Sequence, residues 1–485
     1  MGFVTYDIAF LVLFLLFVII FLYTRKKNLQ RQGILYLYRT KWGINFIDKF
    51  SKKYAGILRP LQYLVIASGY FLMATIMWLI ILSTYIYIKT PIARFIKAPP
   101  VFPLIPYFPK LFDLEAFFPP LYFTYFIFAL AIVAIVHEFS HGIFARLNNF
   151  KIHATGFAFL GPFLGAFVEP DEKQMAKAKK FPQMSVLAAG TFANVVMAVL
   201  FFIIMALFFT SLFMSAGVKY NILAVAPVDI STIEVIGNSS IEGYVEIMAL
   251  PSNDIPAGYL EMSPDEQNSF VVKYFIEPEG LELALETGEG SIFAFEDSPA
   301  FNAQIPKQGA ITKIDGEKIE NYERFVEILG KHSPGEIVDI RIATLNPGEG
   351  TVAEERSFEI ELGERQERAF LGVAFLPNTR DGAVGYLIEN TYNKIKEPNI
   401  HYESKIGDFG WSVFNLLWWI LVINLLVALF NMLPLGILDG GRFFYLTVWA
   451  ITGRENWGKK AYVWATWFLL LLLLSMMVKW VFRFF

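Results

Sequence analysis

Residues 121–146, which read LYFTYFIFALAIVAIVHEFSHGIFAR, decide the fold of this chain. The stretch begins with a long apolar run and ends with His137, Glu138 and His141 close to its basic end. A helix that crosses a hydrocarbon core of about 30 Å needs about 20 mostly apolar residues, and ionisable side chains are costly within that core. The stretch therefore predicts a transmembrane helix that carries a functional polar cluster.

The sequence is 55% hydrophobic and only 18% charged, and it contains further apolar runs of similar length. The first run lacks a basic N-terminal region and a small-residue cleavage site, so we interpret it as a retained anchor rather than a signal peptide. Run length predicts a polytopic α-helical membrane protein with about six transmembrane helices. The predicted spans are 6–23, 61–88, 121–145, 184–213, 413–433 and 461–482.

Charge divides the chain into segments of opposite sign. Residues 217–408 carry 34 Asp/Glu and 15 Lys/Arg, whereas residues 24–59 carry ten Lys/Arg and one acidic residue. The positive-inside rule places the basic loop in the cytoplasm of a cell. It therefore predicts that the N-terminus and residues 217–408 lie outside and that the polar cluster lies towards the cytoplasmic side. The acidic domain argues against nucleic acid as a partner.

These features predict four parts of the chain. They are two N-terminal transmembrane helices with their loops, a membrane core with the polar helix, an extracytoplasmic domain, and the C-terminal transmembrane helices. Their predicted bounds are 1–120, 121–216, 217–410 and 411–485.

His137, Glu138 and His141 form the pattern H-E-x-x-H. A spacing of four places both imidazoles on one face of a helix, where they can bind one tetrahedral ion while Glu138 accepts a proton from bound water. With five His in 485 residues, chance gives only about 0.05 pairs at this spacing. The chain has no cysteine, so a metal needs His and carboxylate ligands. The pattern predicts one zinc ion.

A catalytic zinc usually has a third protein ligand, and Asp439 is the candidate. It follows a long apolar run in WWILVINLLVALFNMLPLGILDGGRFFYL, where a carboxylate needs a partner. Zn²⁺ would supply that partner, but a salt bridge to Arg442 is the competing interpretation. The remaining histidines are weaker candidates, because two lie in the predicted external domain and one in a loop. They are His332, His401 and His153.

The apolar segment 152–168 is interrupted by glycines and Pro162, which makes it too short and too broken for a spanning helix. We predict a re-entrant loop or hairpin that lines the site, since irregular backbone at membrane depth needs protein or water around it. The alternative is an interfacial loop. Within this segment Gly161 and Phe163 are candidates for contacting an extended substrate.

Within the external domain, residues 291–363 alternate short β-type runs with one amphipathic helix near 321–331. The run SPAFNAQIPKQGAITKIDGEKI, the helix with Phe325 and Leu329, and the run PGEIVDIRI resemble a PDZ domain. A generic small α/β or β-sandwich domain is the alternative. Residues 217–290 also contain short strand patterns, but nothing in them identifies a module.

HEFSH followed some 300 residues later by NMLPLGILDGG resembles the site-2 protease family of intramembrane zinc metalloproteases, in its archaeal and bacterial form with a PDZ-like insertion. The resemblance implies that His137, His141 and Asp439 bind zinc and that Glu138 activates water. The family's G-P-x-x-N element matches residues 190–194, with Thr191 in place of proline, and Gly436 replaces a second proline before the LDG motif. By the resemblance, two asparagines hold the substrate backbone or polarise the scissile carbonyl; hydrogen bonding between helices is the alternative. They are Asn194 and Asn431.

The expected function is therefore hydrolysis of peptide bonds within or near transmembrane segments of membrane-protein substrates, either in regulated intramembrane proteolysis or in clearance of membrane stumps. The expected partners are these substrates, the lipid bilayer, and a peptide C-terminus or stump at the PDZ-like domain. A transporter would explain six spans but would not require H-E-x-x-H. A non-proteolytic membrane chaperone or binding protein would normally have lost one of the four site residues, and all four are present.

Overall fold

The computed structural model describes residues 3–89, 98–100, 104–115, 118–160, 163–220, 222–238, 241–251, 272–287, 291–375, 386 and 390–482. Its helices are, in chain order, α1 (Phe3–Thr24), α2 (Ile44–Lys53), α3 (Ala55–Lys89), α4 (Phe108–Leu111), α5 (Phe123–Leu147), α6 (Glu172–Lys177), α7 (Lys180–Leu212), α8 (Pro278–Thr287), α9 (Pro299–Asn302), α10 (Tyr322–Leu329), α11 (Asp408–Asn431), α12 (Asp439–Thr452) and α13 (Glu455–Val481).

Six of these helices are long and apolar enough to cross a membrane, namely α1, α3, α5, α7, α11 and α13. This confirms the predicted polytopic α-helical membrane fold with a β-rich domain. The chain divides into two compact units, a membrane unit of Met1–Phe208 with Ser412–Phe485 and a β-rich unit of Phe209–Trp411. The four predicted domain bounds stay predictions.

The strands are β1 (Leu29–Gln32), β2 (Leu35–Thr40), β3 (Ile152–Leu160), β4 (Phe163–Pro170), β5 (Phe213–Tyr220), β6 (Ile222–Leu223), β7 (Val225–Asn238), β8 (Val245–Pro251), β9 (Val272–Ile276), β10 (Ser291–Glu296), β11 (Gly309–Ile314), β12 (Glu317–Lys318), β13 (Ile337–Leu345), β14 (Val352–Glu361), β15 (Gly363–Arg365), β16 (Arg368–Phe370), β17 (Val373–Ala374) and β18 (Ile400–Ser404).

The membrane unit contains a four-stranded antiparallel sheet in the order β1-β2-β3-β4. Strands β3 and β4 form a hairpin, so of the predicted forms of segment 152–168 the structure has the hairpin. In this order β4 is a terminal strand, paired with β3 along one edge only. Gly161 lies outside the described residues, and of Phe163 only the backbone is described.

Small residues allow the membrane helices to approach closely around the polar helix α5. Ala188 and Ala189 of α7 are fully buried, in a cluster that also contains residues of α3, α5, α11 and α12. A Cβ atom placed on Gly69 of α3 would lie 3.0 Å from the Cβ atom of Ala188. Close backbone approach at small residues is the usual way in which transmembrane helices associate.

Helix α5 begins at Phe123 without a capping side chain of its own, and Asp7 of helix α1 supplies the cap. The Asp7 carboxylate is 1% exposed and accepts hydrogen bonds from the backbone amides of Phe123 (2.9 Å) and Thr124 (2.7 Å), and also from the Tyr107 hydroxyl. Burial and the bond to Asp7 raise the pKa of Tyr107, which keeps this hydroxyl a donor. A negative charge at a helix N-terminus satisfies free amides and interacts favourably with the helix dipole.

We expect Asp7→Asn to lower the free energy of unfolding by about 1–3 kcal/mol. The reason is that α5 loses a charged acceptor, and the side-chain amide of asparagine has only one oxygen for the two backbone amides that Asp7 binds. Thermal unfolding in detergent measures this as a lower midpoint. Tyr6→Phe is the control, since Tyr6 lies on the same helix and is 63% exposed. An unchanged midpoint in Asp7→Asn would contradict the capping role.

The β-rich unit combines a closed barrel with an open sheet. The barrel has the order β10-β7-β8-β9, and the sheet has the order β14-β13-β11-β5-β18, with β12 paired to β11. Thus the sheet that contains the predicted PDZ-like strands also includes β5 and β18 from outside residues 291–363. Its core contains Ile311 and Ile340 of the sheet, Phe301 of α9 and Phe325 of α10.

Candidate active site

His137 and His141 lie one turn apart on α5, and their Nε2 atoms are 3.0 Å apart. The Oδ2 atom of Asp439 is 3.3 Å from each of these two atoms. In a tetrahedral zinc site with bonds of 2.0–2.1 Å, ligand atoms are about 3.3 Å apart. The three donor atoms, two imidazole nitrogens and one carboxylate oxygen, therefore have the spacing and the ligand types that a zinc ion requires.

Asp439 reaches the histidines because the chain before it packs tightly on the first turn of α12. A Cβ atom on Gly440 would lie 2.3 Å from the carbonyl carbon of Met432, and one on Gly441 would lie 2.2 Å from the carbonyl oxygen of Leu435. No side chain fits at these distances, so the two glycines after Asp439 are needed for the turn. The described residues contain no salt bridge between Asp439 and Arg442.

Hydrogen bonds through the Nδ1 atoms orient both imidazoles. His141 Nδ1 donates to the carbonyl oxygen of Val186 at 2.7 Å, and His137 Nδ1 lies 3.0 Å from the side-chain amide of Asn194. Each imidazole thus turns Nε2 towards Asp439. A neutral His that binds metal through Nε2 carries its proton on Nδ1, so the Asn194 oxygen is the atom that should face His137. This assignment also gives the buried Oδ1 of Asn194 a partner.

Gly190 fits α7 against the two imidazoles. A Cβ atom there would lie 2.6 Å from Cε1 of His137 and 2.6 Å from Nε2 of His141. Gly190 and Asn194 are the first and last residues of the element that the sequence analysis compared with G-P-x-x-N. The structure places both of them against His137, whereas the predicted contact of Asn194 with substrate stays a prediction.

Glu138 accepts a hydrogen bond from the backbone amide of Val168 on β4 at 3.0 Å. Successive backbone amides of a strand point to opposite edges. The Val168 amide bonds to Glu138, so it points to the edge of β4 that faces away from β3. The candidate general base therefore lies beside the edge of β4 that pairs with no described strand, which we call the free edge of β4. No sequence pattern predicts this contact, since it depends on how β4 packs on α5.

The remaining candidates from the sequence are Asn431, whose predicted substrate contact stays a prediction, and three histidines that are not part of the cluster. Asn431 is the last residue of α11 and is partly exposed. His153 pairs with Asp171, and His332 pairs with Glu336 and Asp315. His401 is buried in the β-rich unit, where burial, with Lys219 and Lys396 nearby, lowers its pKa to about 4.

The three candidate metal ligands all lie on helices of the membrane unit. This arrangement is typical of membrane proteins that hold a metal ion among their helices. The chain belongs to Peptidase family M50, the site-2 protease family, whose model matches residues 125–475. It is also similar to the zinc metalloprotease RasP of Oceanobacillus iheyensis, with 25% identity over 217 residues, which are 38% of this chain and 49% of RasP. The chain thus spans about half the length of this curated relative.

Proposed function

We propose that this protein is a zinc-dependent intramembrane endopeptidase that cleaves transmembrane segments of other membrane proteins. The observation that supports the proposal best is the cluster of His137, His141 and Asp439, whose donor atoms lie within 4.8 Å of one another. The two histidines lie on the transmembrane helix α5. Asp439 is the first residue of α12, which follows the transmembrane helix α11. A metal centre so placed acts on peptide bonds within or near the membrane.

In this mechanism His137, His141 and Asp439 would hold one zinc ion. When bound, zinc supplies a water of lowered pKa and polarises the scissile carbonyl. Glu138 accepts the proton of the attacking water and transfers it to the leaving amine. The amide of Val168 fixes one carboxylate oxygen of Glu138, which leaves the other oxygen for this proton.

Removal and return of the metal tests the proposal. Detergent-purified protein should cleave a single-span membrane substrate, lose this activity with a zinc chelator, and recover it when zinc is added back. Activity that persists without metal would overturn the metalloprotease mechanism.

A substrate segment must be extended at the cleavage site, because a helix shields its own amides. The free edge of β4 offers backbone donors and acceptors to such a segment, in the manner of β-strand addition. The Val168 amide points to this edge, so by alternation the amides of Ala166 and Leu164 do the same. The edge thus places an extended substrate next to Glu138.

We expect Ala166→Pro to lower cleavage by at least about tenfold without loss of zinc, because proline removes a free-edge donor while the bonds to β3 remain. Ala166→Val is the control, since it adds bulk but keeps the amide. Cleavage kinetics and metal content measure the two effects. Equal rates for both variants and the unchanged protein would exclude β4 as the substrate strand.

The β-rich unit contains a groove of about 600 Å³ between α10 and the segment 368–375. Its lining includes Phe325, Leu329, Phe370 and Phe375. We infer that this groove is the peptide site of a PDZ-like module and binds the terminus of a substrate stump. The predicted orientation, with this unit and the N-terminus outside the cell, would expose the groove to stumps left by an earlier cut.

We expect Val326→Arg to block this groove, since Val326 lines it and is 49% exposed. The ratio of cleavage rates for a stump and for the same substrate with its full external domain should fall by about tenfold. Glu323→Arg is the control, because it places an arginine on α10 at a position that does not line the groove. This variant should leave the ratio of cleavage rates unchanged. An unaltered ratio in Val326→Arg would mean that the groove does not select substrates.

A further inference from the structure

Helix α2 packs directly against the H-E-x-x-H motif although it contributes no residue to it. Ile47 is fully buried in a cluster with Ile152 and Val168. A Cβ atom on Gly142 would lie 2.7 Å from Cδ1 of Ile47, and the rings of Phe46 and Phe139 have their centroids 5.7 Å apart. Any displacement of α2 would therefore reach the helix that carries Glu138 and the strand that binds it.

Among the described residues, the face of α2 that turns away from this contact is exposed. Lys49 and Lys53 lie on this face and are exposed, and Phe46, at its border with α5, is 54% exposed although its ring also contacts Phe139. Trp42, which precedes the helix, is 84% exposed, and Tyr54, which follows it, is 37% exposed. Aromatic rings interleaved with lysines are typical of segments that lie in the headgroup region of a bilayer.

Chain connectivity keeps this surface near the bilayer. Helix α1 ends at Thr24 and α3 begins at Ala55, so both ends of the intervening segment are attached to membrane helices. Helix α3 has 35 residues, whereas about 20 cross the hydrocarbon core, so its ends extend into the headgroup region. Residues 24–59 contain ten basic residues, and their one acidic residue, Asp48, pairs with Arg146.

We propose that the outer face of α2, with Trp42 and Tyr54, is a docking surface for anionic phospholipid headgroups. The lysines bind the headgroup phosphates and the aromatic rings lie at the level of the acyl boundary. Contact with the lipid holds α2 against α5 and β4, so that anionic lipid supports cleavage. This second part rests on the proposed protease function, whereas the lipid contact does not.

A spin label measures the contact without any need for activity. The chain has no cysteine, so Asn45→Cys on the exposed part of α2 provides one labelling site. In vesicles with roughly a third phosphatidylglycerol, the label should be several-fold less accessible to a water-soluble nickel chelate than in pure phosphatidylcholine. High salt and the double variant Lys49→Gln/Lys53→Gln should abolish this difference.

The double variant Lys318→Gln/Lys394→Gln removes the same charge from exposed positions of the β-rich unit and should behave as the unchanged protein. In the same vesicles, phosphatidylglycerol should raise the cleavage rate several-fold for the unchanged protein and this control, but not for Lys49→Gln/Lys53→Gln. Equal label accessibility in both vesicle types would overturn the docking surface, whether or not the protein cleaves substrate. A lipid-dependent label with a lipid-independent cleavage rate would overturn the coupling to the active site.

Discussion

Glu138→Gln is expected to lower the cleavage rate by about 10²–10⁴-fold while one zinc ion per chain remains bound. The amide of glutamine has nearly the shape of the carboxylate and can still accept the hydrogen bond from the Val168 amide, so the fold around β4 should persist. What it cannot do is accept the proton of the attacking water. Single-turnover cleavage of a labelled transmembrane substrate, together with metal analysis, measures both quantities.

Glu169→Gln is the matched control for this variant. Glu169 is the residue after Val168, and its carboxylate pairs with Arg39 at 3.1 Å rather than facing the metal ligands. We expect this substitution to leave the cleavage rate within about twofold, because exposed ion pairs contribute little. A Glu138→Gln protein that cleaves at the normal rate would exclude Glu138 as the base.

Asp439→Ala is expected to weaken zinc binding by at least about 100-fold and to reduce cleavage to background. Even loss of a residue that only orients a ligand typically costs 10–100-fold in metal affinity, and Asp439 would be a ligand itself. The cavity left by alanine keeps the two imidazoles but has no third protein ligand. Competition with a chromophoric zinc chelator measures the affinity.

Arg442→Gln distinguishes the metal from the salt-bridge interpretation of Asp439. If Asp439 serves the metal, this variant keeps its zinc affinity, because the two side chains form no salt bridge in the structure. If Asp439 were mainly the partner of Arg442, Asp439→Ala and Arg442→Gln would lower the stability of the protein to a similar extent. Neither variant would then have a lower zinc affinity than the other.

The sequence predicts the membrane helices and the pair of histidines because both depend on local patterns. The spacing of His137 and His141 fixes their common face on any helix, and apolar runs locate the six spans. Helix ends are less predictable: the second span was predicted at 61–88, but α3 covers Ala55–Lys89, because Arg59 and Pro60 continue the helix beyond the apolar run. For Asp439 the residues alone leave a metal and a salt bridge to Arg442 open, the family resemblance implies the metal, and the structure brings its carboxylate to both imidazoles.

The contacts that support the cluster depend on tertiary packing and have no local signal. Nothing in the first span indicates that Asp7 caps a helix that begins over 100 residues later. The amide of Val168 reaches Glu138 only because a hairpin packs on α5, and the fit of Gly190 between two imidazoles requires the position of α7. The barrel of β7 to β10 was likewise missed, since its closure depends on the pairing of β10 with β7, which brings Ser291 opposite Asp229.

Mapping of the new chain ends most directly tests the central claim that the protein hydrolyses peptide bonds within the membrane. Mass spectrometry of a single-span substrate incubated with the zinc-loaded protein should find termini inside the apolar segment, and none with Glu138→Gln. Termini confined to the aqueous flanks, or the same termini with Glu138→Gln, would contradict the account.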